Sequence, residues 1–188
     1  MKTKTLKKLV VFVCTGNTCR SPMAEMIFRK TTQEMGLTKL KISSAGIRAK
    51  KGDKINEKSA QVLLEKGFSG FEFSSKKIDK RTLKSSLAIV CMTDSQRDLV
   101  MEMRWKALRE AGEEEIENNV FSFSELVGYE VLDPYGRDID CYRYVFELIE
   151  GGMSALIEKI LPVDVRKKYV EKPKNPTRKK TAKKPSNA

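Results

Sequence analysis

The segment Val13-Cys14-Thr15-Gly16-Asn17-Thr18-Cys19-Arg20-Ser21-Pro22 gathers a nucleophile, a fixed cation and a tight turn into ten residues. It follows the apolar, β-branched run Leu9-Val10-Val11-Phe12-Val13, the pattern of a strand buried on both faces of a parallel sheet. Pro22 marks the opening of a helix, so the intervening loop ends on a helix N-terminus, where backbone N–H groups attract anions. Gly16 and Asn17 tolerate the positive φ that curls such a loop into a nest of inward N–H groups. Cys14 then lies beside that positive field, which favours the nucleophilic thiolate. Arg20 can direct two parallel hydrogen bonds at the oxygens of a bound phosphate. Ser21 can act either as N-cap or as a hydroxyl donor to the thiolate. With Thr15, Thr18 and Cys19 completing the loop, these residue types point to phosphate binding and attack by sulfur.

A phosphate ester or amidate also needs a proton for its leaving group. The chain contains no histidine. That absence excludes Ser-His-Asp and Cys-His catalysis, His-ligated zinc and imidazole proton transfer. A carboxylate in a constrained loop is the remaining acid, and Asp133-Pro134-Tyr135-Gly136 supplies one, with Tyr135 as a pocket wall. A second C-x5-R run, from Cys91 to Arg97, has no glycine and would put Asp94 beside the phosphate. Cys91 is therefore read as a buried strand end and Arg97 as helix surface. The cysteines at 14, 19, 91 and 141 form no CxxC pair, so neither an all-cysteine zinc site nor a disulfide scaffold is expected. No metal and no other cofactor is expected.

The elements that must position this loop alternate along the chain. The patterns predict a strand over 9–14, a helix over 22–35 and a strand over 41–44 with a turn at Ala45-Gly46. A helix over 57–66, a strand over 87–92, a helix over 94–111 and an alternating strand over 120–123 follow. The last long helix runs over 139–161, with Gly151-Gly152 as a place for a kink or break. Such alternation predicts a three-layer α/β/α domain with a central parallel sheet of about four strands and the phosphate loop between the first strand and the first helix.

With 188 residues, 40% hydrophobic and 33% charged, the chain is sized for one packed domain. Its net charge of +12 sits at the ends. Residues 162–188 hold ten basic and two acidic side chains, and Lys2, Lys4, Lys7 and Lys8 add four more positive charges, leaving the body near neutral. The expected organisation is a basic N-terminal extension over 1–8, a domain over 9–161 and a basic tail over 162–188 with too little apolar surface to order itself. Contact with nucleic acid is expected only non-specifically, through that tail, which lacks aromatic side chains past Tyr169 for base stacking. No apolar run reaches the roughly 18–20 residues of a membrane span, and no signal peptide is recognised. The chain reads as cytoplasmic, without a membrane partner.

The loop of residues 14–22, the Asp133-Pro134 turn and Ser43-Ser44-Ala45-Gly46 together resemble the low-molecular-weight protein-tyrosine phosphatase family over about residues 8–161. Residues 14–21 match the loop of its protein arginine phosphatases, with Thr18 where tyrosine-specific members usually carry isoleucine. The resemblance implies phosphorylated proteins as substrates and a phosphocysteine formed on Cys14. Arg20 and the loop would hold the phosphoryl oxygens, Asp133 would act as acid and then base, and Asn17 would brace the loop. It also implies Thr18 and Tyr135 as substrate pocket, the former suited to a guanidinium, while Gly136 removes one aromatic wall. It further suggests a reversible Cys14–Cys19 disulfide, with packing of a buried Cys19 as the alternative. A tyrosine phosphatase on the same scaffold is the nearest other reading. An arsenate reductase lacks its further cysteine pair here, since Cys91 has no partner in the next dozen residues. A non-catalytic phosphate- or nucleic-acid-binding module remains a different class of reading.

Overall fold

A computed structural model of the chain describes residues 7–113 and 117–170. Four strands, β1 (Leu9–Cys14), β2 (Lys41–Gly46), β3 (Ser86–Cys91) and β4 (Val120–Ser122), form one sheet in the order β2-β1-β3-β4. All three pairings are parallel, and β1 meets β2 in register from Leu9↔Lys41 to Cys14↔Gly46. The solid apolar run of β1 is explained by its central place: Val10, Phe12 and Cys14 face one core, Val11 and Val13 the other. On the first face lie α1 (Arg20–Glu34), α2 (Glu57–Glu65), α5 (Phe123–Val127) and α6 (Ile139–Ile160). On the second lie α3 (Lys80–Ser85) and α4 (Asp94–Arg109). The expected three-layer arrangement is thus present. From β1 the chain crosses to β2 on one side and then returns to β3 on the other. That reversal opens a crevice beyond the carboxyl end of β1, where ligands of open parallel sheets bind.

Several local outcomes differ from the sequence reading for identifiable reasons. Strand β2 continues through Ala45 and Gly46, which pair with Val13 and Cys14 instead of turning. Strand β4 stops at Ser122, because Ser122 and Glu125 form a capping box that starts α5 at Phe123. Helix α3 went unpredicted: it buries only Leu83, so it shows no apolar period, and Asp79 caps it by accepting from Thr82 N. Helix α6 passes unbroken through Gly151-Gly152, the second of which lies against Phe123 and Val127.

Packing also continues past Pro162, where the domain was expected to end. A short α7 (Val163–Arg166) leads to Tyr169, which is 1% exposed. Its hydroxyl donates to Lys7 O at 2.7 Å, and its carbonyl accepts from Lys39 N at 3.1 Å. The rest of the expected tail, residues 171–188, and residues 1–6 lie outside the described residues. Among the described residues, no helix is long and apolar enough to cross a membrane.

Candidate active site

The loop between β1 and α1 closes on Asn17. Its φ of 56° makes it the one non-glycine residue with positive φ among the described residues. Asn17, and not Gly16, takes the left-handed turn. The side chain explains why an asparagine fits there: its amide nitrogen donates to Ser21 Oγ at 3.0 Å and Ser44 Oγ at 2.9 Å, and its carbonyl accepts from Lys76 N at 2.9 Å. Every polar group of a fully buried amide is thereby used. Its backbone N–H points to Cys14 Sγ at 3.3 Å. Gly46 allows the loop to seat against β2, since a Cβ there would meet Thr15 O at 2.7 Å and Asn17 N at 2.9 Å.

Cys14 is 3% exposed at the end of β1, with its sulfur 3.0 Å from Ser21 Oγ. Of the two roles open to Ser21, the N-cap role is not taken up. Helix α1 is preceded by Cys19 with no side-chain cap, and the Ser21 hydroxyl faces the thiol instead. Ser21 Oγ accepts from Asn17, and its one proton has two acceptors in reach, Cys14 Sγ at 3.0 Å and Ala45 O at 3.4 Å, the sulfur being the nearer.

Arg20 opens α1 and is buried, with Nη1 donating to Val131 O at 3.1 Å and Nη2 to Asp133 Oδ2 at 2.5 Å. Its Nε is buried with no partner, an orphan donor left over for an anion. Asp133 is half-exposed and its Oδ1 accepts from Tyr135 N at 3.2 Å, an Asx turn that holds the carboxylate over the loop. A cavity of about 250 Å³ results, lined by Cys14, Thr15, Gly16, Thr18, Cys19, Arg20, Asp133 and Tyr135. All the residues singled out from sequence come together here except Asn17 and Ser21, which brace the loop from behind. Tyr135, 74% exposed, stands at the rim, followed by Gly136 at a φ of 78°.

Behind the loop a second polar group supports Cys19. Its sulfur is 3.6 Å from Tyr142 Oη and 3.7 Å from Thr18 Oγ1. Burial pushes the Cys19 thiol above its ordinary value despite the Tyr142 and Thr18 hydroxyls, which act the other way. Burial likewise raises the Tyr142 phenol, so both stay protonated at neutral pH. Lys58 ties the start of α2 to the acid loop by donating to Arg137 O. Sequence reasoning missed Gln96, which is buried between two loops. Its Nε2 donates to Thr15 Oγ1 at 3.1 Å, and its Oε1 accepts from Met92 N at 3.2 Å. A polar residue at a strand–helix turn was the available signal. The second C-x5-R run makes no site: Cys91 is fully buried with its thiol pushed up by burial, and Arg97 pairs with Glu125 at 2.9 Å.

A thiol, a guanidinium and a carboxylate around one anion-sized cavity define a cysteine-dependent phosphatase site. Comparison with known proteins agrees. The family model described as low molecular weight phosphotyrosine protein phosphatase matches residues 9–168, and the chain belongs to that family, a hydrolase of the protein phosphatase class. A protein-arginine-phosphatase of Bacillus subtilis (strain 168) is 29% identical over 154 residues, covering 80% of this chain and 95% of that protein. The low molecular weight protein-tyrosine-phosphatase PtpB of Staphylococcus haemolyticus is 33% identical over 140 residues, covering 73% of this chain and 89% of its own length. Among solved structures, a cysteine-to-serine mutant of the YwlE arginine phosphatase, with its active-site serine phosphorylated, superposes with a TM-score of 0.72. It is 25% identical and is covered to 99%, against 84% of this chain.

Proposed function

We propose that the chain is a protein arginine phosphatase of cytoplasmic location that works through a phosphocysteine. The observation that carries the substrate class is the pocket wall. Thr18 offers a hydroxyl where a phenyl ring would want an apolar contact, Tyr135 is its one aromatic, and the half-exposed Asp133 carboxylate, held by Arg20 and Tyr135 N, lines the same wall, where a substrate guanidinium can pair with it. In the first step the Cys14 thiolate attacks phosphorus, forming S–P as P–N breaks. The departing guanidine nitrogen takes the Asp133 proton while Arg20 and the loop N–H groups hold the equatorial oxygens. In the second, the Asp133 carboxylate takes a proton from water, the hydroxide attacks phosphorus, and Cys14 leaves as thiolate, stabilised by the Ser21 hydroxyl. Cys19 completes this reading as redox partner: peroxide oxidises Cys14 to the sulfenic acid, which condenses with the Cys19 thiol and releases water.

The test is kcat/KM on matched phosphoarginine and phosphotyrosine peptides, with Cys14→Ser as blank. A preference for phosphoarginine of at least tenfold, reduced by Thr18→Ile, is expected. Preference for phosphotyrosine would keep the mechanism and replace the substrate, a reading favoured by the resemblance to PtpB. Turnover of neither peptide would leave a binding module.

A further inference from the structure

Charge is sharply segregated along the packed body. Residues 41–84 carry twelve Lys or Arg against five Asp or Glu, whereas residues 85–161 carry seven against sixteen. The cationic stretch is physically joined to the phosphate loop. Arg48 N donates to Thr15 O and Asn56 N to Thr18 O, both at 2.9 Å, so the segment 48–56 leaves the loop and returns to it. A second segment is laced to it, Gly52 N donating to Ser75 O at 3.0 Å and Ser75 N to Asp53 O at 2.9 Å. This second segment also reaches the loop, through Lys76 N on Asn17 Oδ1.

Six side chains of this ribbon and its continuation into α3, Lys50, Lys51, Lys54, Lys76, Lys77 and Arg81, are exposed and have no ion-pair partner among the described residues. Where the ribbon meets the edge strand β2 there is a groove of about 420 Å³ bordered by Lys41, Lys76, Lys77 and Arg81. The one carboxylate in it, Asp79, caps α3 and offsets only part of the charge of Arg81 and Lys76 beside it. Unpaired like charges held this close repel one another, and a polyanion laid along them relieves the repulsion.

We propose that this ribbon is a docking surface for an acidic segment of the protein substrate, engaged while the phosphorylated residue occupies the pocket. The proposal rests on the phosphatase reading above but not on which phosphorylated residue is cleaved. An acidic polypeptide fits better than a nucleic acid, because no large aromatic side chain is exposed between residues 41 and 84 on which a base could stack. The attachment of segment 48–56 to Thr15 and Thr18, both of which line the catalytic cavity, makes the surface continuous with it, so one substrate chain can reach both.

The experiment measures kcat/KM of the full chain on two peptides that share whichever phosphorylated residue the enzyme turns over, one flanked by Asp and Glu, one by Gly and Ser. A small aryl phosphate without flanks reports the chemistry alone. The enzyme should prefer the acidic peptide by about tenfold at low salt, the yield of a few exposed charge pairs, and lose the preference near 0.5 M salt, where screening is strong. The combined variant Lys50→Glu, Lys51→Glu, Lys54→Glu should lose the preference at low salt while hydrolysing the aryl phosphate within about twofold of the parent. Equal rates on both peptides, or a preference that survives charge reversal, would overturn docking. So would a variant that loses only oligonucleotide binding and keeps the peptide preference. Failure to hydrolyse the aryl phosphate would instead strike at the phosphatase reading itself.

Discussion

Asn17 does the work of three residues: it makes the left-handed turn, aims its own N–H at Cys14 Sγ, and joins Ser21, Ser44 and the Lys76 backbone through its amide. The consequence falls on Ser21. With Asn17 donating to its oxygen, the serine hydroxyl keeps its proton to give, and Cys14 Sγ at 3.0 Å is a nearer acceptor than Ala45 O at 3.4 Å, a bond that matters most when sulfur departs as an anion. Ser21→Ala should therefore slow breakdown of the phosphocysteine more than its formation. Loss of one hydrogen bond to a charged group corresponds to a drop in kcat of about tenfold to a hundredfold. A burst of released phenol from an aryl phosphate, larger in Ser21→Ala than in the parent enzyme, is the expected signature. A variant whose kcat/KM falls with no change in burst would show that Ser21 acts only on the attack.

Among the elements, α6 shows how two adjacent glycines differ in meaning. A Cβ at Gly152 would meet Phe123 Cε1 at 2.7 Å and Val127 Cγ1 at 2.8 Å, whereas one at Gly151 would meet nothing within 4 Å. Gly152 thus lets α5 press onto α6, and Gly151 merely weakens the helix. Gly151→Ala should stabilise by about 0.5–1 kcal/mol through helix propensity. Gly152→Ala should destabilise by about 1–3 kcal/mol through overpacking, the two shifts in Tm being opposite in sign. The sequence could raise the question of a kink but not separate the pair, since the answer lies in side chains about 25 residues away. The same distinction runs through the molecule. The strand, loop and helix start around Cys14 were readable because the apolar run, the turn residues and Pro22 are contiguous. Gln96 on Thr15, Val131 O on Arg20 and Tyr142 beside Cys19 were not, because each is delivered by a segment far along the chain. Helix α3 and the Ser122 start of α5 were missed for a local reason: elements of five or six residues are too short to show a period.

At the scale of the whole molecule, the open question is where the folding unit ends. Composition alone put the boundary at Pro162, since few apolar groups follow it. Yet Tyr169 is buried as completely as the centre of the sheet, and it bridges Lys7 at the start of β1 to Lys39 before β2. One aromatic residue thus clamps the chain's described beginning and end across the edge of the domain. A chain ending at Leu161 should lose about 3 kcal/mol in urea denaturation, in the range for removing a buried aromatic side chain, whereas one ending at Val170 should match the full chain. Tyr169→Phe, which keeps the ring and drops the hydrogen bond to Lys7 O, should cost about 1 kcal/mol. None of these changes touches the phosphate loop, so activity per folded molecule should hold in all three. Equal stability of the chains ending at 161 and 170 would return the boundary to Pro162 and reduce Tyr169 to a passive covering of the core.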